Sequence, residues 1–410
     1  MSRHVVVMIA TSYPRFPGDG VGSFMEPIAT SVAARGHEVH LVAPWHPAIR
    51  RAPVEQGVHF HFFKYAIVPA MNVFGYAQGL RADTDLKLAA WCATPAALAA
   101  GWFKALRVAQ KKRATVVHAH WVIPGGVIGA LAAGGRRLVV SLHGSDVFVA
   151  ERHRVLGQAA RRVFARAAHV TACSDDLHTR AIALGAPPAR TETVPYGVDS
   201  ARFAPSDDAR ARVRRDLGLG DRPFVFTAGR LVRKKGFGVL IDAAARLRTR
   251  WPDLAVAIAG HGDLRDELAA QAAAAGGVVT LLGNRSQDEI AALCAAADVI
   301  AVPSVHDEAG NVDGLPNFAL EALASGTPVV ASRVGGLPQA IVDGRSGRLV
   351  PEQDAAALAG AIEALLGDRA GAAAIGTAAR AAVVRDFGWA RVAERFDAAY
   401  GSPAPDSRLS

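Results

Sequence analysis

Cysteine is scarce in this chain. There are three in 410 residues, Cys92, Cys173 and Cys294, far apart and never in a C-x-x-C pair. That excludes a disulfide scaffold, argues against a zinc site, and suits a reducing compartment. A membrane-spanning run is missing too. The apolar stretch Leu88 to Phe103 is uncharged over only 16 residues and contains Pro95, whereas a span needs about 20 apolar residues. The opening M-S-R-H-V-V-V-M-I-A is too short an apolar run for a secretory signal. A soluble, cytoplasmic protein is therefore expected. No G-x-G-x-x-G follows the first strand and no acid closes the second, so a nicotinamide or flavin cofactor is not expected. No nucleic-acid motif or aromatic–basic repeat occurs, so nucleic acid is not expected as a partner.

What is present is enough chain for two domains, with 51% hydrophobic residues to fill two cores. The net charge of +9 is unevenly spread: residues 1–200 hold 22 Lys and Arg against 12 Asp and Glu, and residues 201–410 hold 24 against 25. The basic excess of the first half fits an anionic partner, either lipid headgroups at the inner face of the membrane or a lipid-linked or otherwise anionic acceptor.

The first half opens as βαβ. Val5 to Ala10 is a continuous apolar run, the pattern of a strand buried on both faces. The glycine-rich loop P-G-D-G-V-G-S-F follows, then a helix from about Phe24 to Arg35 and a strand over His40 to Ala43. Gly20 and Gly22 let backbone N–H groups approach an anion, although a plain βα turn reads the same way. Residues 60–95 have no steady period and are expected to form loops and helices on an acceptor side. A helix is expected from Thr94-Pro95, with Leu98, Trp102, Ala105 and Ala109 on one face and Lys104, Arg107 and Lys111 on another. It reads equally as a membrane-surface helix and as an ordinary surface helix. V-V-H-A-H-W (116–121) and L-V-V-S-L-H (138–143) are strands that deliver His120, His143 and Asp146 to the carboxyl edge of a sheet, where open α/β folds bind ligands. A lone histidine at a strand end is more often structural; two brought to the same edge favour a site.

In the second half, Phe224 to Ala228 is a strand that runs into G-R-L-V-R-K-K-G and a helix from about Phe237. An Arg and Lys loop ahead of a helix N-terminus suits a diphosphate, since Arg offers a fork of donors and Lys a mobile charge. Further strands end in Gly260-His261, in Gly283-Asn284-Arg285 and in Pro303-Ser304. The stretch V-D-G-L-P-N-F-A-L-E-A-L-A-S-G-T-P-V-V-A-S (312–332) reads as loop, helix, turn and strand. Asn317 is the expected N-cap, Gly326 the C′ residue, and Val329 to Ala331 the strand. Two carboxylates, Asp313 and Glu321, flank the helix N-terminus, itself a ready anion site. That arrangement suits a ligand with phosphates in the middle and hydroxyls at both ends, as in a nucleoside diphosphate sugar. An ordinary βαβ segment with two solvated acids is the bland reading.

This stretch resembles the signature of the retaining glycosyltransferases of family 4, the group 1 transferases, in which Glu, seven residues and Glu precede Gly-x-Pro-Val-Val. Glu321 takes the second Glu; Asp313 stands where the family has the first. H-G-S-D (143–146), T-V-P-Y-G-V-D-S-A-R-F (193–203) and F-G-W-A-R-V-A-E-R-F-D-A-A-Y (387–400) resemble further family segments, so the likeness covers roughly residues 5–400. It implies an α/β GT-B fold: two Rossmann-like doubly wound parallel-sheet domains facing a central cleft. The expected divisions are an acceptor domain over 1–205, a donor domain over 206–385, a returning helix over 386–400 and a disordered tail over 401–410. The resemblance implies that Arg230 and Lys235 hold the diphosphate, with Arg233 and Lys234 outside. Glu321 would take the ribose and Asp313 the sugar hydroxyls. Asn284 and Arg285 are candidates for the nucleobase, with Gly20, Gly22, Gly314, Leu315 and Asn317 also on the donor. His143 would hydrogen-bond the transferred sugar, Asp146 would orient it or touch the acceptor, and His120 joins them on the acceptor side. The implied reaction is retaining hexosyl transfer from a UDP- or GDP-linked sugar to a hydroxyl, in polysaccharide or glycolipid synthesis, with no cofactor and no metal. A sugar-nucleotide epimerase or hydrolase on the same fold, and a non-catalytic sugar- or lipid-binding protein, are the alternatives.

Overall fold

A computed structural model describes residues 3–66, 72, 75–76, 80–81, 85–86, 88–308 and 310–401. The tail beyond 401 and much of the stretch from 67 to 87, expected to border an acceptor, lie outside these. The chain forms two compact units, Met1–Tyr196 with Trp389–Ser410, and Gly197–Gly388.

Val, Ile and Leu runs make the central strands of the first unit, because β-branched and apolar side chains suit a sheet covered on both faces. They are β1 (Val5–Ile9), β2 (Glu38–Pro44), β3 (Val54–Glu55) and β4 (Val58–Phe63), then a separate ribbon, β5 (Leu80–Arg81) with β6 (Asp85–Leu86), and β7 (Val116–His120), β8 (Arg137–Leu142), β9 (His169–Ala172) and β10 (Thr191–Thr193). The eight-stranded sheet has the order β10-β9-β8-β7-β1-β2-β4-β3. Its pairs are parallel except β3 with β4. The order turns back between β1 and β7, so loops leaving these two strands diverge to opposite faces and open a crevice at their carboxyl ends.

The second unit repeats the plan with six parallel strands: β11 (Phe224–Ala228), β12 (Ala255–Ala259), β13 (Val279–Gly283), β14 (Val299–Val302), β15 (Val329–Ser332) and β16 (Arg348–Val350). Their order is β13-β12-β11-β14-β15-β16, and the reversal falls between β11 and β14. The helix Phe237–Leu247 buries Leu240, Ile241, Ala244 and Leu247 against Val256 and Ile258 of the sheet and Leu358 and Ile362 of the helix Ala355–Gly367.

One helix departs from the expected outline. It runs Leu88–Lys111 through Pro95 instead of starting there. Leu and Ala upstream are strong helix formers, which offsets the hydrogen bond lost at proline. Its buried face is also different: Ala97, Gly101, Ala105, Val108 and Ala109 face inward, whereas Trp102 is 39% exposed. Gly101 sets this phase. A Cβ there would lie 2.8 Å from Ile128 Cδ1 and 3.1 Å from Phe63 Cζ, so the helix closes on its neighbours along the one residue without a side chain. Among the described residues no helix is long and apolar enough to cross a membrane.

The helix Trp389–Gly401 packs on the first unit. Tyr400 Oη lies 2.8 Å from His118 Nδ1, Arg137 Nε donates to the Ala399 carbonyl at 2.7 Å, and Asp397 pairs with both Arg35 and His37.

Candidate active site

In the second unit Lys235 and Asp313 meet where the strand order reverses, whereas Asn284 and Arg285 follow β13, two strands away at the edge of the sheet. β11 ends at Ala228, and Gly229-Arg230 leads into a short 3₁₀ turn, Arg233–Lys235. Gly236 closes the turn at φ +64° and starts the next helix; a Cβ on it would collide with the Pro303 carbonyl just past β14. Only glycine serves there. The Lys234 carbonyl accepts from the Val305 N–H at 2.9 Å, tying the turn to the loop after β14. A small cavity lined by Thr227, Lys235, Ser304, Pro316 and Phe318 lies at these two strand ends.

Asp313 meets the lysines of this turn. Its Oδ2 is 2.6 Å from Lys235 Nζ, and its Oδ1 is 3.1 Å from Lys234 Nζ. The tight turn thus points Lys235 and also Lys234, expected outside the diphosphate site, at one carboxylate. Burial would raise the Asp313 carboxyl, but Lys235 and Lys234 outweigh it and hold the group well below the usual carboxylate range. Arg233 points elsewhere, into an exposed bidentate pair with Glu267. Glu321 lies in the helix Asn317–Ala324. Burial pushes its carboxyl up to about 7, against the pull of Lys235 and Arg202.

Asn317 does not cap that helix. Pro316 occupies the N-cap without a side-chain bond, Asn317 is the first helical residue, and its Oδ1 is buried with no partner. Pro316 keeps an extended backbone, φ −62° and ψ 128°, and Asn317 is already helical, so the cap falls one residue earlier than the Asn suggests. Gly326 follows the helix at φ +75°, as expected of C′. Gly314 and Leu315 precede the helix, and the Gly336 N–H donates to the Gly314 carbonyl. Asn284 and Arg285 follow β13 and are exposed; Asn284 Oδ1 lies 3.3 Å from His261 Nδ1, and Arg285 pairs with Glu289 at 3.2 Å.

In the first unit, β7 and β8 deliver a buried chain of rings. Tyr196 Oη is 2.6 Å from His143 Nδ1, and His143 Nε2 is 3.0 Å from His120 Nδ1. His120 Nε2 is buried without a partner. His118 lies tilted beside His120 at 4.2 Å between centroids, and its Nε2 lies 2.7 Å from Ser141 Oγ. Phe24 and Trp121 pack on His143 at 4.9 and 4.6 Å. Burial lowers all three imidazoles, His143 to about 3, so they are neutral at pH 7. Both ring nitrogens of His143 are engaged by protein groups. Asp146 is 2% exposed and accepts from the backbone N–H groups of Val122 (2.7 Å), His143 (3.2 Å) and Gly144 (3.0 Å). Burial pushes its carboxyl up to about 6 despite those donors. It therefore pins the loops after β7 and β8 together. In the glycine-rich loop, Asp19 accepts from Arg15 Nε at 2.6 Å and from the Val21 N–H at 3.2 Å; Gly22 abuts Ser12, and the space around Gly20 is open. Tyr196, His118, Tyr400, Phe24 and Trp121 were not picked from the sequence as parts of this network. The only signal was the placing of His118 two residues from His120 on the same strand face.

Two doubly wound parallel-sheet units, each with polar residues at its strand-order reversal, define the GT-B class of glycosyltransferase. Over residues 209–382 the chain matches the family of glycosyl transferases group 1, and over 19–197 the glycosyl transferase 4-like domain. It is 41% identical over 280 residues to a GDP-mannose-dependent alpha-(1-6)-phosphatidylinositol monomannoside mannosyltransferase of Mycolicibacterium smegmatis, covering 66% of this chain and 73% of that one. It is 40% identical over 251 residues to a D-inositol 3-phosphate glycosyltransferase of Pseudarthrobacter chlorophenolicus, covering 59% of this chain and 55% of that one. The fold is shared with HepE of Anabaena, solved in complex with UDP-glucose: TM-score 0.77, 22% identity, 98% of this chain and 100% of that one. This chain belongs to the family 4 glycosyltransferases and is a glycosyltransferase.

Proposed function

We propose that this enzyme transfers a hexosyl group, with retention, from a nucleoside diphosphate sugar bound by the second unit to a hydroxyl of an anionic acceptor bound by the first. The observation that carries the reading is the meeting of Lys234, Lys235 and Asp313 ahead of the helix that holds Glu321. Loss of the nucleoside diphosphate builds charge on its phosphate oxygens. Arg230, Lys235 and the N–H groups at the start of the helix Asn317–Ala324 would stabilise it, so that the reaction runs without a metal ion; one such preorganised donor is worth about 10²–10³ in rate. Glu321 would accept from the ribose hydroxyls and Asp313 from the sugar. Asn284 and Arg285, exposed after β13, would border the base, and Gly20 and Gly22 would approach the phosphates through their backbone. In this reading the departing phosphate takes the acceptor proton and the new bond forms on the same face. On the acceptor side, His143 and His120 with Asp146 would fix the loops after β7 and β8, His143 acting through its position, since its ring nitrogens and main-chain N–H are already engaged.

The named substrates of the mannosyltransferase and inositol phosphate relatives favour a GDP-mannose donor and a phosphorylated cyclitol or glycolipid acceptor. The basic excess of the first half suits such an acceptor and a peripheral place on an anionic bilayer. Incubating the enzyme with GDP-mannose or UDP-glucose and phosphatidylinositol vesicles, with and without chelator, tests this. The expected product is an α-linked glycolipid by NMR, formed equally well with chelator. Arg230→Ala and Lys235→Ala should each lower transfer about 10²-fold. Donor turnover with no acceptor would point instead to a hydrolase or epimerase, and binding without product to a non-catalytic protein.

A further inference from the structure

We propose that Lys234 is a donor-binding residue of this enzyme, and that Asp313 holds the place of the donor's diphosphate until the donor arrives. The inference rests on the donor site proposed above and adds to it a residue and an exchange of partners.

The geometry is a carboxylate bridging two ammonium groups, one on each oxygen, at 3.1 Å from Lys234 and 2.6 Å from Lys235. The three side chains are mostly buried, at 19%, 18% and 12% exposure. Charges so poorly hydrated need partners. Lys235 and Asp313 alone would make one ion pair, and Lys234 sets a second ammonium group against the same carboxylate. An entering diphosphate can then take both ammonium groups together, and the carboxylate it displaces is left beside the sugar that the diphosphate carries. Asp313 is thus the counter-ion of the empty site and a hydroxyl acceptor of the filled one.

The exchange needs only side chains to move. The Lys234 carbonyl is fixed by the Val305 N–H, the Lys235 N–H donates to the Val232 carbonyl at 3.1 Å, and the chain beside Asp313 is held by the Gly336 N–H on Gly314. The short Asp also matters. With its backbone fixed, one more methylene would carry the carboxylate past the point where each oxygen faces one lysine.

The test is isothermal titration of the full chain with UDP and with GDP. Lys234→Met should weaken the better nucleotide about tenfold or more, the loss expected for a charge-assisted hydrogen bond. Lys234→Arg, which keeps the charge, should retain most of the binding and shows that any loss in Lys234→Met is not misfolding. Asp313→Asn, which removes the carboxylate charge that competes for both lysines, should bind the nucleotide more tightly than the wild type and yet transfer sugar more slowly. Wild-type binding by Lys234→Met, or no tightening in Asp313→Asn, overturns the inference. Lys235→Met separates it from the reading beneath. If Lys235→Met loses binding while Lys234→Met does not, the diphosphate site stands and only this inference falls. If neither variant is weakened, or if the wild type binds neither nucleotide, both fall.

Discussion

Glu321 carries its proton to near neutrality because burial disfavours the carboxylate more than Lys235 and Arg202 favour it. A carboxyl whose pKa is higher folded than unfolded adds stability below its unfolded value, near 4.5, and loses that contribution as pH rises through about 7. Glu321→Gln keeps a neutral side chain at every pH. Its melting temperature should match the wild type near pH 5 and exceed it near pH 8, while nucleotide binding weakens; a constant offset between the two melts would refute the raised pKa. The buried imidazoles of His118, His120 and His143 act with the opposite sign. Their lowered values add stability above pH 6.5 that drains away as pH falls below it, for His143 down to about 3. Much of this was out of reach of the sequence. Glu321 and Asp313 could be found because their spacing about a helix start is local. That Lys234 shares Asp313 with Lys235 could not, since it depends on the phase of a 3₁₀ turn and on a loop about eighty residues away.

At the scale of the element, the central strands were legible as short apolar runs, several closed by Gly, Pro or His; V-V-H-A-H-W stops at His120, one residue short of its expected end, and β4, β5 and β6 fall where no strand was expected. Helix limits and faces were less so. Trp102 belongs to an apolar stripe by spacing, yet the helix rolls to bring Gly101 inward, a choice made by Ile128 and Phe63 across the packing. Local pattern cannot report such a partner. The junction at Gly236 yields an element-scale prediction. Gly236→Ala must put a Cβ against the Pro303 carbonyl in a left-handed backbone. It should cost more than about 1 kcal/mol and tilt the turn that carries Lys234 and Lys235. Denaturant melts should show the first effect and nucleotide titration the second; a variant with wild-type values in both would mean that the turn tolerates a side chain.

For the whole molecule, the returning helix is the clearest long-range dependence. Tyr400 satisfies His118, Asp397 satisfies Arg35 and His37, and Arg395 pairs with Glu192. Stopping the chain after Gly388 removes these bonds together with the buried face of Val392, Phe396 and Tyr400, and bares the apolar surface beneath it, at about 1.5–3 kcal/mol for each large side chain. Calorimetry of the truncated chain should show a low-melting or lost transition for the first unit and an unaltered one for the second. A single unshifted transition would mean that the helix is dispensable.

Val198 has its N–H on the Phe387 carbonyl at 2.8 Å and bridges to Gly388 in parallel pairing. Residues 197–388 thus begin and finish side by side, like a cassette slotted into a host through one opening. Evolution or an engineer could lift such a module out, or exchange it for another, with hardly a gap left to close.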